Sequence, residues 1–270
     1  MGRVISLISG KGGVGKTTIT ANLGIALAKR GLNVCLVDAD IAMANLSLIL
    51  NMQNSPITLH DVLLGEASIQ DAIYDGPAGL KFVPSGLSLE NYRRVDSERL
   101  QSVIGIIKQQ FDFVLLDCAA GIEKNVMAAI SASDEVLLVA MPTSTSIADV
   151  LKAKIISQRL GSKPIGILIN FVRGEKGEIK KDDIMKMLEL PVFAIVPYDD
   201  DLRRSAMQES PSPIMMSKPG SPAAVGIQKA AAKLAGLPLA SETGSGGGIL
   251  SGILNKLRSL FRMKPKDTEA

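Results

Sequence analysis

Tryptophan is absent from this 270-residue chain, and only three Tyr and six Phe are present. An interior so poor in rings has to be filled by Val, Ile, Leu, Ala and Met. At 46% hydrophobic residues, there is enough of that material for a full core. Cysteine is nearly missing too. Cys35 and Cys118 stand in apolar, strand-like surroundings without CxxC spacing, which excludes a disulfide framework and gives no support to a metal-cluster site. They read as inert buried thiols of a reduced, cytosolic protein. His60 is the single histidine, so neither a His-based triad nor a His-rich metal site can be assembled; it is expected near a helix start at Leu59–Val62. No signal-peptide pattern precedes Val4, and no apolar run approaches the roughly 20 residues of a membrane span. Excess charge is also scarce. The net charge is +3, and residues 249–270 hold five Lys/Arg against two Asp/Glu, leaving a neutral body and a basic tail.

What is present is an alternation of apolar, β-rich runs with helix-period segments. That is the pattern of an α/β fold, a mostly parallel twisted sheet with helices on both faces. Strands are expected at Val4–Ser9, Val34–Asp38, Leu80–Val83, Phe113–Asp117, Glu135–Ala140, Ile165–Asn170 and Val192–Val196. Helices are expected at Thr17–Lys29, Ser97–Gln110 (capped by Asp96 or Ser97), Ser146–Leu160, Lys181–Leu188, Asp200–Gln208 and Pro222–Leu234, with 210–222 as loop. No internal repeat is seen. The chain divides into a body at 1–237, a Gly/Ser-rich flexible linker at 238–248, an amphipathic helix at 249–264 and a polar tail at 265–270.

The most specific motif follows the first strand. Gly10, Gly15, Lys16 and Thr17 have the spacing GxxxxGKT of a phosphate-binding loop, between an apolar strand and a helical pattern. Glycines let the backbone curl until several N–H groups face one phosphate, and the helix that follows adds its positive end. Lys16 is placed to reach the β- and γ-phosphates, and the Thr17 hydroxyl to ligate Mg²⁺. Lys11 is a second lysine inside the loop, which an ordinary phosphate loop does not need.

Three carboxylates join this motif. Asp38 and Asp40 end the second apolar strand, where ligands sit in open α/β sheets. Standing one residue apart, they should do different work: one near the Mg²⁺ shell, the other holding a water against the γ-phosphate. Asp117 ends the run Phe113–Leu116, the pattern of the Asp that holds Mg²⁺ through water in phosphate-loop NTPases. Asn170 ends another apolar strand and has the donor and acceptor groups that suit an adenine edge. Each of these alone would pass for a strand-end or turn residue; beside a phosphate loop, the chemical reading is preferred.

At the other end of the chain, Ile249, Leu250, Ile253, Leu254, Leu257, Leu260 and Phe261 fall on one arc of about 140° at helical periodicity. Lys256, Arg258 and Arg262 lie opposite. An apolar arc with a basic polar face suits the surface of an anionic membrane; the alternative is a helix packed on the body or on a partner.

With Lys11 to Thr18, Asp38, Asp40 and Asp117, the chain resembles the MinD/ParA family of deviant Walker A ATPases. The resemblance runs from the first strand to about Gly236, and Asp38–Ala39–Asp40–Ile41 followed by Asn45–Leu46 is similar to its MinD branch. It implies slow, partner-stimulated ATP hydrolysis with Mg²⁺ and an ATP-dependent homodimer. Gly10, Lys11, Gly12, Gly13, Val14, Gly15, Lys16, Thr17 and Thr18 would hold ATP, and Lys11 would cross to the partner subunit's nucleotide. Asp40 would position or activate the attacking water, with Lys11 and Lys16 as its catalytic companions, while Thr17, Asp38 and Asp117 would serve the metal. Asn170, Arg173, Pro197 and Asp199 would match the adenine pocket. The family usually continues Asp-Thr-Pro-Ala-Gly where this chain has Asp117–Cys118–Ala119–Ala120–Gly121. That loses a hydroxyl and a proline from a segment that senses the γ-phosphate, while metal binding through Asp117 should survive. The tail implies a protein that is cytoplasmic and peripheral at the cytoplasmic face of the cell membrane, bound to anionic lipid. A regulatory protein partner and a role in division-site selection follow from the same resemblance. The rival readings are a partitioning ATPase on non-specific DNA, a flagellar-number regulator and a metal-cluster carrier. The neutral body argues against DNA, and the missing CxxC against cluster carriage.

Overall fold

Runs of Val, Ile and Leu without polar alternation form the strands, as a sheet covered on both faces requires. The computed structural model describes residues 2–41, 43–86, 97–206 and 211–238. The strands are β1 (Arg3–Ile8), β2 (Val34–Ala39), β3 (Tyr74–Asp75), β4 (Lys81–Val83), β5 (Phe113–Cys118), β6 (Glu135–Ala140), β7 (Lys163–Val172) and β8 (Val192–Pro197). They make one sheet in the order β3-β4-β2-β5-β1-β6-β7-β8. Every neighbouring pair is parallel except the short β3–β4 pair.

The helices are α1 (Lys16–Ala28), α2 (Leu46–Leu50), α3 (Leu59–Leu64), α4 (Ser97–Lys108), α5 (Lys124–Ser131), α6 (Ser144–Arg159), α7 (Lys181–Leu188), α8 (Asp200–Ala206), α9 (Ile214–Ser217) and α10 (Pro222–Ala235). Alternate residues of each strand face two cores. Val4 and Ile8 of β1 join a cluster that α3 to α7 cover, and Ile5 and Leu7 join one under α1, α2 and α8 to α10. The connection after β1 runs to β2 on one side of it, and the connection after β5 crosses β1 to reach β6 on the other, so the direction of winding reverses there. The crevice at that reversal, outside the carboxyl ends of the strands, is where such sheets bind ligands.

The sheet and the longer helices agree with the sequence expectations, and the short elements are what those missed. α2 and α3 have too few turns to show a clear period, β3 is only two residues long, and α5, as long as the expected α7, is not among the expected helices. The stretch 210–222, expected as loop, contains the single turn α9. Buried Ile214 and Met215 hold it, and the Met215 N–H donates to Asn22 Oδ1 of α1 at 3.0 Å. Tertiary packing there overrides a Pro/Ser-rich composition. α6 begins at Ser144 rather than Ser146, with the Thr143 hydroxyl accepting from the Ser146 N–H. Asp96, the far end of the Asp200–Gln208 helix, most of the linker and the amphipathic segment 249–264 lie outside the described residues.

Cys35 and Cys118 are fully buried in β2 and β5. Burial pushes both thiols up, that of Cys118 to about 12, which is the setting of an inert thiol. His60 is the second residue of α3, whose start is closed by a Thr58–Asp61 capping box. Its ring is 1% exposed, and Nδ1 accepts from the Gly86 N–H at 2.8 Å, so the neutral ring carries its proton on Nε2. Desolvation lowers its pKa from the ordinary 6.5, outweighing the Asp61 charge and the Ile41 backbone, which raise it. The unfolded chain therefore takes up that proton first, and this contribution to stability is complete above about pH 6.5 and lost as the pH falls towards the native pKa. His60→Asn keeps an acceptor for Gly86 but cannot titrate. Its urea midpoint should change less than that of the wild type between about pH 7.5 and pH 5.5.

Candidate functional site

The loop from Ser9 to Gly15 leaves β1 and turns into α1 with no residue to spare. Gly13 and Gly15 have φ of 81° and 83°, the left-handed region that glycine enters without strain. Space also demands glycine. A Cβ on Gly10 would lie 2.3 Å from Asp149 Cβ on α6, and one on Gly15 would lie 2.5 Å from Asn170 Nδ2. Buried Val14 anchors the loop, while Lys11, Gly12 and Gly13 stand exposed at its tip. The Ser9 hydroxyl donates to Lys11 O, and the Gly121 N–H donates to Ser9 O at 3.1 Å. The Cys118–Gly121 segment is thus tied to the loop by its backbone, without the missing Thr or Pro.

The two lysines of the loop have opposite surroundings. Lys16, 7% exposed, places Nζ 2.7 Å from Oδ1 of Asp117, itself 1% exposed. Burial alone would lower the Lys16 pKa, but the charge and hydrogen bond of Asp117 outweigh it and hold the ammonium above its usual value. Asp40 adds to that pull. Thr17 is half-buried, with Oγ1 3.5 Å from Lys16 Nζ, and the Thr18 carbonyl accepts from Asn22 Nδ2.

Asp38 and Asp117 are register partners on adjacent β2 and β5, so their carboxylates are neighbours. Asp38 is fully buried, and its oxygens accept from the Asp40 N–H at 3.2 Å and the Leu46 N–H of α2 at 3.1 Å. Desolvation, followed by the like charge of Asp117, pushes its carboxyl well above the usual range, even though these N–H groups act in the other direction. Half-buried Asp40 accepts from the Met43 N–H at 3.0 Å. Among the described residues, three carboxyl groups therefore gather around one buried ammonium, and a further cation there would favour the charged form of Asp38.

Asn170 approaches from β7. One amide N–H donates to Val14 O at 2.9 Å, which ties β7 to the loop, while its buried Oδ1 has no hydrogen-bond partner among the described residues. The free oxygen is an acceptor waiting for a donor, such as the amino group of a base. Next to it, Phe171 takes φ of 60° and stands 6.4 Å from the Tyr198 ring. The Arg173 guanidinium lies 3.7 Å from the Tyr198 ring centroid, a cation–π contact. These three side chains line a cavity of about 450 Å³ together with Met141, Pro142 and Thr143. Pro197 ends β8 in register with Val172, beside this wall. Asp199 is turned elsewhere: its oxygens accept from the N–H groups of Asp201 and Ala223, so it caps α8 and α10. Burial would raise its carboxyl, but these bonds and others from Ser221 and Leu202 hold it below the usual range.

Two residues here escaped the sequence analysis. Thr20 faces Asp117 from one turn along α1, a position that its spacing of four from Lys16 could have shown. Phe171 depends on a positive φ that leaves no trace in sequence. The contrast between the two lysines has a measurable consequence. Lys16→Ala strands two buried carboxylates and should cost about 3 kcal/mol in urea denaturation, whereas Lys11→Ala should leave the midpoint unchanged.

Residues 5–212 match the family model of the CobQ/CobB/MinD/ParA nucleotide binding domain. The chain is 47% identical over 236 residues to an uncharacterised ATP-binding protein of Methanocaldococcus jannaschii, covering 87% of this chain and 89% of that protein. The septum site-determining protein MinD of Pyrococcus horikoshii, solved in complex with Mg-ADP, is 35% identical. It aligns with a TM-score of 0.83 over 87% of this chain and 96% of its own. A chain of the MinC:MinD cell division protein complex of Aquifex aeolicus is 30% identical, with a TM-score of 0.76 over 90% of this chain and 100% of that one. The chain therefore belongs to the MinD/ParA family of nucleotide-binding proteins.

Proposed function

We propose that this protein is a MinD-like, Mg²⁺-dependent ATP hydrolase that dimerises on ATP, binds the membrane reversibly and positions partner proteins, in division-site selection. The observation that carries this reading is the pair of lysines in one loop. Lys16 is buried against Asp117, whereas Lys11 is displayed at the exposed tip of the same loop, where its ammonium faces outward from the described fold.

The residues present fit the nucleotide and its metal. The carboxylates of Asp38 and Asp117 are in excess over Lys16, and the unpaired Asn170 oxygen suits a base amino group. Magnesium, which keeps most of its water and takes phosphate oxygens, needs only one or two carboxylates from a protein, and it supplies charge neutralisation at the phosphates. Thr17, Asp38 and Asp117 would hold it. Lys16 and the loop N–H groups would bind the β- and γ-phosphates, and Asp40 would orient the water that splits ATP into ADP and phosphate. Lys11 would reach the nucleotide of a second copy, which makes dimerisation depend on ATP.

Pairing two copies pairs two amphipathic segments at 249–264. One short helix binds lipid weakly and reversibly, while a second on the same particle inserts intramolecularly, raising avidity by about 10²–10⁴. Hydrolysis would reverse this. The Mg-ADP complex of the Pyrococcus relative supports the nucleotide, and the Aquifex complex supports a regulatory protein partner.

Co-sedimentation with anionic liposomes tests the switch. The full chain should pellet at least about tenfold more with ATP than with ADP, and a chain ending at Gly248 should stay in solution in both. Equal pelleting of the full and the shortened chain removes the tail's role, and equal pelleting in the two nucleotides removes the switch. Retention of the shorter chain on DNA, dependent on ATP and lost with salt, would replace the reading with partitioning on non-specific DNA. Lys11→Ala should still bind nucleotide but give no ATP-dependent dimer by size-exclusion chromatography.

A further inference from the structure

Among the described residues, two donors hold Asp117, and one of them comes from a residue outside the phosphate-loop motif. Thr20 is fully buried on α1, one turn beyond Lys16. Its Oγ1 lies 2.9 Å from Asp117 Oδ1 and 3.0 Å from the Lys16 carbonyl. A hydroxyl has one proton, and of these two acceptors the carboxylate is the stronger. A threonine that bonded only the carbonyl four residues back would be an ordinary helix-interior residue. Here the second acceptor is a buried strand-end carboxylate 97 residues away.

Both contacts to Asp117 end on the same oxygen. Oδ1 receives Lys16 Nζ at 2.7 Å and the Thr20 hydroxyl at 2.9 Å. The two donors differ in what happens when a nucleotide binds. Lys16 is the residue that phosphates would draw towards themselves, which leaves Asp117 short of one partner at the moment its orientation matters most. Thr20 sits one turn deeper in α1, is fully buried, and has no reason to follow the phosphates. It links the carboxylate at the end of β5 to the helix that begins with Lys16 and Thr17.

We infer that Thr20 is a positioning residue for Asp117: its hydroxyl holds Oδ1 to α1, so that the other oxygen keeps a fixed orientation towards a Mg²⁺ hydration shell whether or not Lys16 remains on the carboxylate. This inference rests on the nucleotide-binding reading above. Thr20 is fully buried against Asp117 and would act through that carboxylate alone. Its loss should therefore weaken the metal-dependent part of nucleotide binding and spare the rest.

The test is titration of a fluorescent ADP analogue into the full chain, with Mg²⁺ and with EDTA, for the wild type, Thr20→Val and Thr20→Ser. Thr20→Val is nearly isosteric and replaces the hydroxyl by a methyl group. It should weaken binding on the order of tenfold in Mg²⁺, raise the half-saturating Mg²⁺ concentration by a similar factor, and leave the EDTA affinity unchanged. Thr20→Ser, which restores the hydroxyl, should bind as the wild type does. A purely structural role would weaken binding equally in Mg²⁺ and EDTA, and that result overturns the inference, as does a Thr20→Val variant with unaltered Mg²⁺ dependence or a serine variant that fails to recover it. Should Thr20→Val not fold, Thr20→Ala and Thr20→Ser are compared in the same titrations, and equal Mg²⁺ dependence in these two overturns it. A wild-type chain that binds no ADP analogue in Mg²⁺ refutes the nucleotide reading itself, which separates that failure from a failure of Thr20.

Discussion

The buried contact between Lys16 and Asp117 is the constraint on which the site depends. An ammonium and a carboxylate, both almost wholly out of water, join the first residue of α1 to the end of β5. Desolvating two charges is costly, and a pair of well-packed apolar residues could serve stability as well. The pair is retained where a ligand's charge has to be met, and its surroundings agree. Asp38 lies beside it with its carboxyl pushed up by burial and by Asp117, and Asp40 adds further negative charge. Burial and the charge of Asp117 favour the protonated form of Asp38, and a cation joining the site would favour its charged form instead.

The sheet makes this gathering possible. Parallel strands bring their carboxyl ends to the same side of the sheet, so Ile8, Asp38, Asp117 and Asn170, each at or within two residues of a strand end, converge although up to 162 residues separate them in sequence. The loop after β1 then has to pass between α6 and β7 with almost no clearance. Glycine at positions 10 and 15 is a demand of that passage as much as of the loop's curl. Asn170 uses one end of its amide to hold the loop, and among the described residues the other end has no hydrogen-bond partner, so a single side chain both fixes the fold and offers a buried acceptor.

Carboxylates near this edge are not equivalent. Asp199 stands next to the cavity wall but gives both oxygens to helix N-termini, where the N–H groups of Asp201 and Ala223 hold its charge. Asp38 also accepts a helix N–H, from Leu46, yet it is buried beside Asp117 and Lys16 and remains part of the charged cluster. Residue type and a strand-end position are shared by the two; the neighbouring groups separate them.

Apolar strand runs, helix periods and the spacing of Gly10, Gly15, Lys16 and Thr17 were enough by themselves to define a parallel α/β fold with a phosphate-binding loop. These are local signals: a strand buried on both faces must be apolar throughout, and a loop that curls round a phosphate needs glycine at set intervals. Asp38, Asp40 and Asp117 were legible as strand-end acids for the same reason. The remaining features were decided by tertiary structure. The one-turn α9 forms because Asn22 and the α1 core hold it, against its composition. The different surroundings of Lys11 and Lys16, the half-paired Asn170, the capping role of Asp199 and the hold of Thr20 on Asp117 all depend on contacts between residues far apart in the chain. Their strength comes from burial, and burial exists only once the layers have closed over the sheet.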